Sequence, residues 1–97
     1  MQRLYMRFSG IIKDITSKSR NPFIRESKFI GLYGMIDILY SRSSHYTQVF
    51  AVFKGATTPY HYIKTTPGIL TRDEKGLIYL TTKNHRYVFE VIELYKE

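Results

Sequence analysis

Two stretches near the end of the chain, rich in aromatic and β-branched residues, constrain its fold most strongly. Residues 77–82 and 86–94 each have the composition of a strand, and only Lys83-Asn84-His85 lies between them. Strands joined by so short a polar connection form an antiparallel hairpin. A second hairpin is predicted over 34–53, because residues 34–41 and 46–54 have a similar composition and Gly55 ends the second stretch.

The rest of the chain is also typical of short strands and loops. Residues 3–8 alternate between polar and apolar side chains, which predicts a half-buried strand. Residues 16–22 read as a loop, and residues 23–33 as a short helix or irregular segment. Two Thr-Thr-Pro units bracket a short edge strand at 60–64, since proline is excluded from central strands. Residues 73–76 have the composition of a turn.

These segments together predict the fold class. We expect one domain over residues 1–97, mainly β or β-rich α+β. Its architecture would be a small barrel-like or strongly bent antiparallel sheet of five or six short strands, with at most one short helix near 23–33.

Composition excludes several classes of site. The 97 residues contain no cysteine, which excludes disulfides, a thiolate zinc site and a cysteine nucleophile. No glycine-rich phosphate loop occurs, and no histidines or carboxylates stand at metal-ligand spacing, so we expect no cofactor and no metal.

The longest nearly apolar run, residues 29–40, is shorter than a membrane span of about 20 residues. With no apolar leader segment visible, a cytoplasmic protein is expected.

The positive charge is concentrated in the first two thirds of the chain. The formal net charge is +7 and the sequence pI is about 9.7. Residues 1–64 contain ten basic and three acidic side chains, whereas residues 65–97 contain five of each. Such an excess favours an anionic partner such as nucleic acid, although it could also serve solubility alone.

The first candidate site is a cluster of basic loops. If the two hairpin turns lie at the same end of the sheet, they bring Arg42 close to Lys83 and Arg86. The loop with Lys18 and Arg20 could join them, and Arg25 and Lys28 add charge. Arginine and lysine donate to phosphate oxygens. The alternative is that these are ordinary polar turns.

The second candidate site is the polar face of the first strand. Arg3, Tyr5 and Arg7 alternate with apolar residues and are predicted to share the outward face. An exposed aromatic ring between two cations can stack on a base while the cations hold the backbone of a single strand. The alternative is that the tyrosine serves cross-strand packing.

Histidine chemistry is a third possibility. His45, His61 and His85 are far apart in sequence. Residues 85–91, HRYVFEV, resemble the closing strands of ribosome-dependent ribonuclease toxins of the RelE type, although the early paired helices of that family are not visible here. The resemblance implies a small metal-independent ribonuclease that uses His85, Lys83, Arg86 and a tyrosine.

With no catalytic motif, we favour a non-enzymatic function. The leading prediction is a basic module that binds nucleic acid, RNA rather than DNA, and regulates or blocks a partner by occupancy. The composition also resembles small accessory proteins of bacteriophages and mobile elements, which implies a protein–protein inhibitor of a host enzyme. An edge strand near Tyr60–Ile63 could pair two copies of the chain into a homodimer.

Overall fold

The computed structural model describes residues 2–17, 28–42, 47–57 and 61–95. This part of the chain forms seven antiparallel strands, which confirms the mainly β prediction with one or two strands more than expected. They are β1 (Gln2–Ser17), β2 (Tyr33–Arg42), β3 (Thr47–Gly55), β4 (Tyr62–Lys64), β5 (Gly68–Arg72), β6 (Ile78–Thr82) and β7 (His85–Tyr95).

The strands pair in a closed ring. β1 lies between β2 and β7, β2 also pairs with β3, and β6 lies between β5 and β7. A single bridge, Val49 of β3 with Gly68 of β5, completes the ring. Within the described residues β4 pairs with β3 alone, so the predicted short edge strand is confirmed at Tyr62–Lys64.

The first strand is much longer than predicted. β1 continues through the expected loop start and ends at Ser17, because Ile12 and Ile15 belong to the buried core. Gly10 allows the close approach of β7 at the middle of this strand, since a Cβ atom there would overlap the carbonyl oxygen of Glu90. Register shifts along β1 keep its apolar side chains directed inward as the strand curves.

In the described part of the expected helix near 23–33, the chain forms a tight turn at residues 28–31. Residues 28–29 form a short 3₁₀ turn, and the N–H of Leu32 donates to the carbonyl oxygen of Phe29 at 3.1 Å. Gly31 has a φ of 92°, a conformation that favours glycine. Residues 23–27 lie outside the described residues.

The core is built from the inward faces of the strands, with Leu70 of β5 partly buried against it. Its largest fully buried side chains are Phe8, Phe53 and Phe89, and the rings of Phe8 and Phe89 meet edge to face with centroids 6.4 Å apart. Burying one such side chain contributes about 1.5–3 kcal/mol.

Strand directions define two ends of the ring. Because neighbours are antiparallel, β1, β3 and β6 run one way, and β2, β5 and β7 run the other. The end where β1 starts and where β2, β5 and β7 finish is called the Tyr5 end. The opposite end carries the turn at residues 83–84 and is called the Lys83 end.

Candidate functional site

The sheet opens at the Tyr5 end of the ring. β3 and β5 are joined only at Val49–Gly68, so the remaining residues of β5 make no ladder with β3. β6 pairs with β7 only as far as Ile78–Phe89, and beyond this point β7 pairs with β1 alone. These two gaps in the hydrogen-bonded ladder leave a groove at the surface.

The groove consists of three adjoining hollows that share Tyr5. A hollow of about 660 Å³ lies on the side of β2, β3 and β5, and one of about 540 Å³ lies beside the end of β7. A smaller hollow of about 190 Å³ shares lining residues with both of them. The lining residues are Leu4, Tyr5, Met6, Arg7, Tyr40, Arg42, Val49, Gly68, Ile69, Leu70, Thr71, Arg72, Ile78, Leu94 and Tyr95.

Tyr5 stands in the groove because β1 has a bulge at that residue. Leu4 lies opposite Leu39, and Met6 lies opposite the next residue of β2, Ile38, so Tyr5 has no partner in the register. Its side chain is 64% exposed. Ile69 and Leu94, which also line the groove, are 70% and 51% exposed. The groove therefore offers a large apolar and aromatic surface to a ligand.

The described charged residues that line the groove are all arginines. Arg42 and Arg72 make no ion pair with any described residue. Arg7 is held by Asp37 of the neighbouring strand, with Nε donating to Oδ1 at 2.7 Å and Nη2 to Oδ2 at 3.1 Å. Two cations without a protein counter-charge thus flank an apolar groove, which favours an anionic ligand.

The predicted common face of Arg3, Tyr5 and Arg7 is wrong in its geometry. All three are exposed, but the bulge at Tyr5 shifts the alternation by one residue. Arg3 lies opposite Tyr40 and Arg7 opposite Asp37, an odd number of residues apart on β2. Side chains at such positions project from opposite faces of the sheet, so Arg3 and Arg7 are on different sides.

The predicted cluster of basic loops is also wrong for the residues that the structure describes. Arg42 lies at the Tyr5 end, whereas Lys83 and Arg86 lie at the other end of the ring. The reason is that β4 and β5 both run opposite to β3, so β6 runs in the same direction as β3. The first hairpin turns before β3 and the second turns after β6, which places the two turns at opposite ends. Lys28 is exposed and lies over the Phe29 ring at 5.6 Å. Lys18, Arg20 and Arg25 lie outside the described residues.

Arg86 belongs to a small network on the outer surface. Its guanidinium lies over the ring of Tyr79, 4.6 Å from the centroid, and the Tyr79 hydroxyl donates to Asp73 Oδ2 at 2.7 Å. This hydrogen bond is the main cause that lowers the pKa of Asp73, and it raises the pKa of Tyr79. The backbone N–H groups of Lys75 and Leu77 also donate to Asp73, so the network holds the turn between β5 and β6.

Two of the predicted ribonuclease residues, His85 and Arg86, contact different tyrosines. The ring of His85 lies 5.9 Å from that of the buried Tyr87, whereas the next residue, Arg86, stacks on Tyr79. Successive residues of a strand face opposite sides, so His85 and Arg86 do not share a site. His61 packs edge to face on Phe29, 5.6 Å between centroids. No cluster of three metal-binding side chains occurs in the described residues, and His45 lies outside them.

Sequence reasoning missed most of the groove. Arg42, Tyr5 and Arg7 were candidates, but Tyr40, Arg72 and Tyr95 were not. The available signal was in residues 68–72, GILTR, where a strand places an apolar side chain next to a cation. Recognising it required knowing that this segment is a strand of the ring.

Comparisons with protein-family models, with curated proteins and with solved structures found no match. None of the described helical structure is long and apolar enough to cross a membrane.

Proposed function

We propose that this domain is a non-enzymatic module that binds single-stranded nucleic acid, preferentially RNA, in the groove around Tyr5. The observation that carries the proposal is the combination of a largely exposed tyrosine with Arg42 and Arg72, neither of which has an ion-pair partner among the described residues. Among the residues that the structure describes, no acidic side chain lines the three hollows.

The chemistry of the groove fits a single strand better than a duplex. Unpaired bases expose their faces, which stack on tyrosine rings, and their backbone phosphates accept hydrogen bonds from arginine. A duplex keeps its base faces covered and would offer the apolar side chains Ile69 and Leu94 no partner. The hydroxyl groups of Tyr40 and Thr71 are available to the ribose 2′-OH, which favours RNA over DNA.

In this role the protein acts in the cytoplasm by occupancy. A bound strand would be covered where it passes through the groove, and an enzyme or partner that needs the same nucleotides would be blocked. No bond is made or broken in the bound nucleic acid.

The proposal is tested by fluorescence anisotropy with a labelled 12-nucleotide RNA of mixed sequence, titrated at several salt concentrations. We expect the RNA to bind, and the logarithm of the affinity to fall linearly with the logarithm of the salt concentration. The slope should be about −0.7 for each phosphate contacted. Tyr5→Ala should weaken binding by about tenfold or more, since loss of each stacked base costs about 1–3 kcal/mol. The matched control is Tyr62→Ala, because Tyr62 is 49% exposed but lies on β4, outside the groove.

Three further ligands separate the alternatives. DNA of the same sequence should bind more weakly than RNA, and the RNA duplex more weakly than either single strand. Polyglutamate carries negative charge without bases and should compete poorly. Equal competition by polyglutamate, or an unchanged affinity in Tyr5→Ala, would reject the proposal in favour of an acidic protein partner or a different surface.

The edge strand β4 supports a second candidate function, pairing with another protein or with a second copy of the chain. Among the described residues its outer edge is unpaired, and Tyr62 is exposed beside it. A homodimer through this edge would form one continuous sheet. Light scattering after size-exclusion chromatography tests the homodimer. A dimer that Tyr62→Pro converts to a folded monomer supports the pairing, because Tyr62 alternates with the residues that bond to β3, and a monomer at all concentrations excludes the homodimer.

A further inference from the structure

The two larger hollows of the groove have a matching set of side chains. The hollow beside β2 and β3 contains Tyr40 and Arg42, and the one beside the end of β7 contains Tyr95 and Arg72. Each thus combines one tyrosine besides Tyr5 with one arginine that has no ion-pair partner among the described residues. Their volumes, about 660 and 540 Å³, are similar and both fall in the range of small-ligand sites, about 300–1,000 Å³.

Tyr5 is common to both hollows and is the residue of β1 that the bulge displaces from the ladder. An aromatic ring has two faces, and each can stack on a base. A single base in either hollow would use only one face of Tyr5. Two consecutive bases, one in each hollow, would use both.

The two arginines, Arg42 and Arg72, can each contact one phosphate of the same two nucleotides. Arg42 terminates β2 and Arg72 terminates β5, so the cations belong to different strands and line different hollows. Arg7 in the second hollow is already paired with Asp37. One unpaired cation per hollow matches one phosphate per nucleotide.

We propose that the groove holds two successive nucleotides of a single strand, one in each hollow, with Tyr5 between their bases. This inference rests on the proposed function and specifies its ligand as a dinucleotide step. Recognition is by stacking and phosphate contact, so it tolerates a change of base.

The test varies the number of bases while the charge stays constant. A series of labelled RNA hexamers carries zero, one, two or three adjacent bases at its centre, with abasic sites at all other positions, and affinities are measured at one salt concentration. We expect affinity to rise about fivefold or more with the first base and again with the second, and to stay constant with the third. In Tyr5→Ala the gain from both bases should largely disappear, whereas binding of the fully abasic hexamer should change little.

Two controls make the result specific. Tyr5→Phe retains the ring and should preserve the two-base optimum, and Tyr62→Ala should leave the whole series unchanged. A plateau after one base, or a continued rise with the third, would overturn the dinucleotide step while the 12-nucleotide RNA still binds. If neither the 12-nucleotide RNA nor any hexamer binds, the proposed function itself fails, so the two failures are distinguishable.

Discussion

Arg42 and Lys83 lie at opposite ends of the ring, because the strands that precede them, β2 and β6, run in opposite directions. Both side chains are exposed cations that follow or terminate a strand at a hairpin turn. The two residues are therefore chemically matched but occupy different surfaces. Only Arg42 lines the groove around Tyr5.

This separation gives a prediction for nucleic-acid binding. Arg42→Gln should lower the slope of the logarithm of affinity against the logarithm of salt concentration by about 0.7, the contribution of one phosphate on a single strand. Lys83→Gln removes the same charge at the other end and should leave the slope unchanged. The slopes are measured by anisotropy with the 12-nucleotide RNA, and an equal effect of both substitutions would contradict a localised site.

The Asp73–Tyr79 hydrogen bond predicts how stability depends on pH. The bond lowers the pKa of Asp73 in the folded protein, so it stabilises the fold above the ordinary carboxyl pKa of about 3.9 and this contribution is lost as the pH falls through the folded value. Because the pKa of Tyr79 is raised, the contribution is also lost as the pH rises through that value, above about 10.

Asp73→Asn should therefore lower the melting temperature at pH 7, and the difference from the unsubstituted protein should shrink below about pH 4. Thermal unfolding followed by circular dichroism across pH 2–8 measures it. Tyr79→Phe is the control for the hydrogen bond itself. It removes the hydroxyl that donates to Asp73 but keeps the ring beneath Arg86. A difference that does not change with pH would show that the turn, and not the carboxylate, accounts for the effect.

Ser9 has a buried hydroxyl whose oxygen makes no hydrogen bond within the described residues. A buried polar group without a partner costs about 1–3 kcal/mol, so Ser9→Ala should leave stability unchanged or raise it by about 1 kcal/mol. Thr65→Val is the matched control. The Thr65 hydroxyl accepts a 2.9 Å hydrogen bond from the N–H of Ala51, and its removal should destabilise by about 1–3 kcal/mol. Urea denaturation compares the two, and a loss of stability in Ser9→Ala would indicate an unrecognised partner.

Gly10 is predicted to be intolerant of any side chain. A Cβ atom there would overlap the backbone oxygen of Glu90, so Gly10→Ala forces β1 and β7 apart and should cost about 1–3 kcal/mol. Gly31→Asn is the comparison, because nothing lies within 4 Å of a Cβ at Gly31 and asparagine tolerates a positive φ. Its cost should be about 1 kcal/mol or less. The urea concentrations at the midpoints of unfolding compare the stability of the two variants. Similar losses of stability at the two sites would contradict the steric argument.

The parts of the fold that could be predicted from the sequence are the local ones. The hairpins β2–β3 and β6–β7 were predicted because each joins two stretches of strand composition through a short polar connection. β4 was predicted as an edge strand from the flanking prolines. β5 was not predicted, since five residues that follow a proline and begin with a glycine give too short a pattern to recognise. Residues 9–17 of β1 were not fully recognised as strand, because register shifts interrupt their alternation.

The candidate site shows the same division. Arg42 and Tyr5 were named from their residue types, and Tyr5 was correctly expected to be exposed. Their neighbours Arg72 and Tyr95 could not be found in this way, because they come from strands that are distant in sequence. The supposed common face of Arg3 and Arg7 failed at the bulge, since one extra residue reverses the direction of every side chain beyond it.

The sequence by itself determined most of the segments that are strands and which of their side chains are apolar enough to be buried, because composition and a period of two act over a few residues. It also determined that the chain is basic. Only the tertiary structure decided that the strands close into a ring through a single bridge, that Tyr5 leaves the ladder, and that Arg42 and Arg72 meet at one groove while Lys83 lies elsewhere. These features depend on the register and direction of strands far apart in the chain, and local pattern does not encode them.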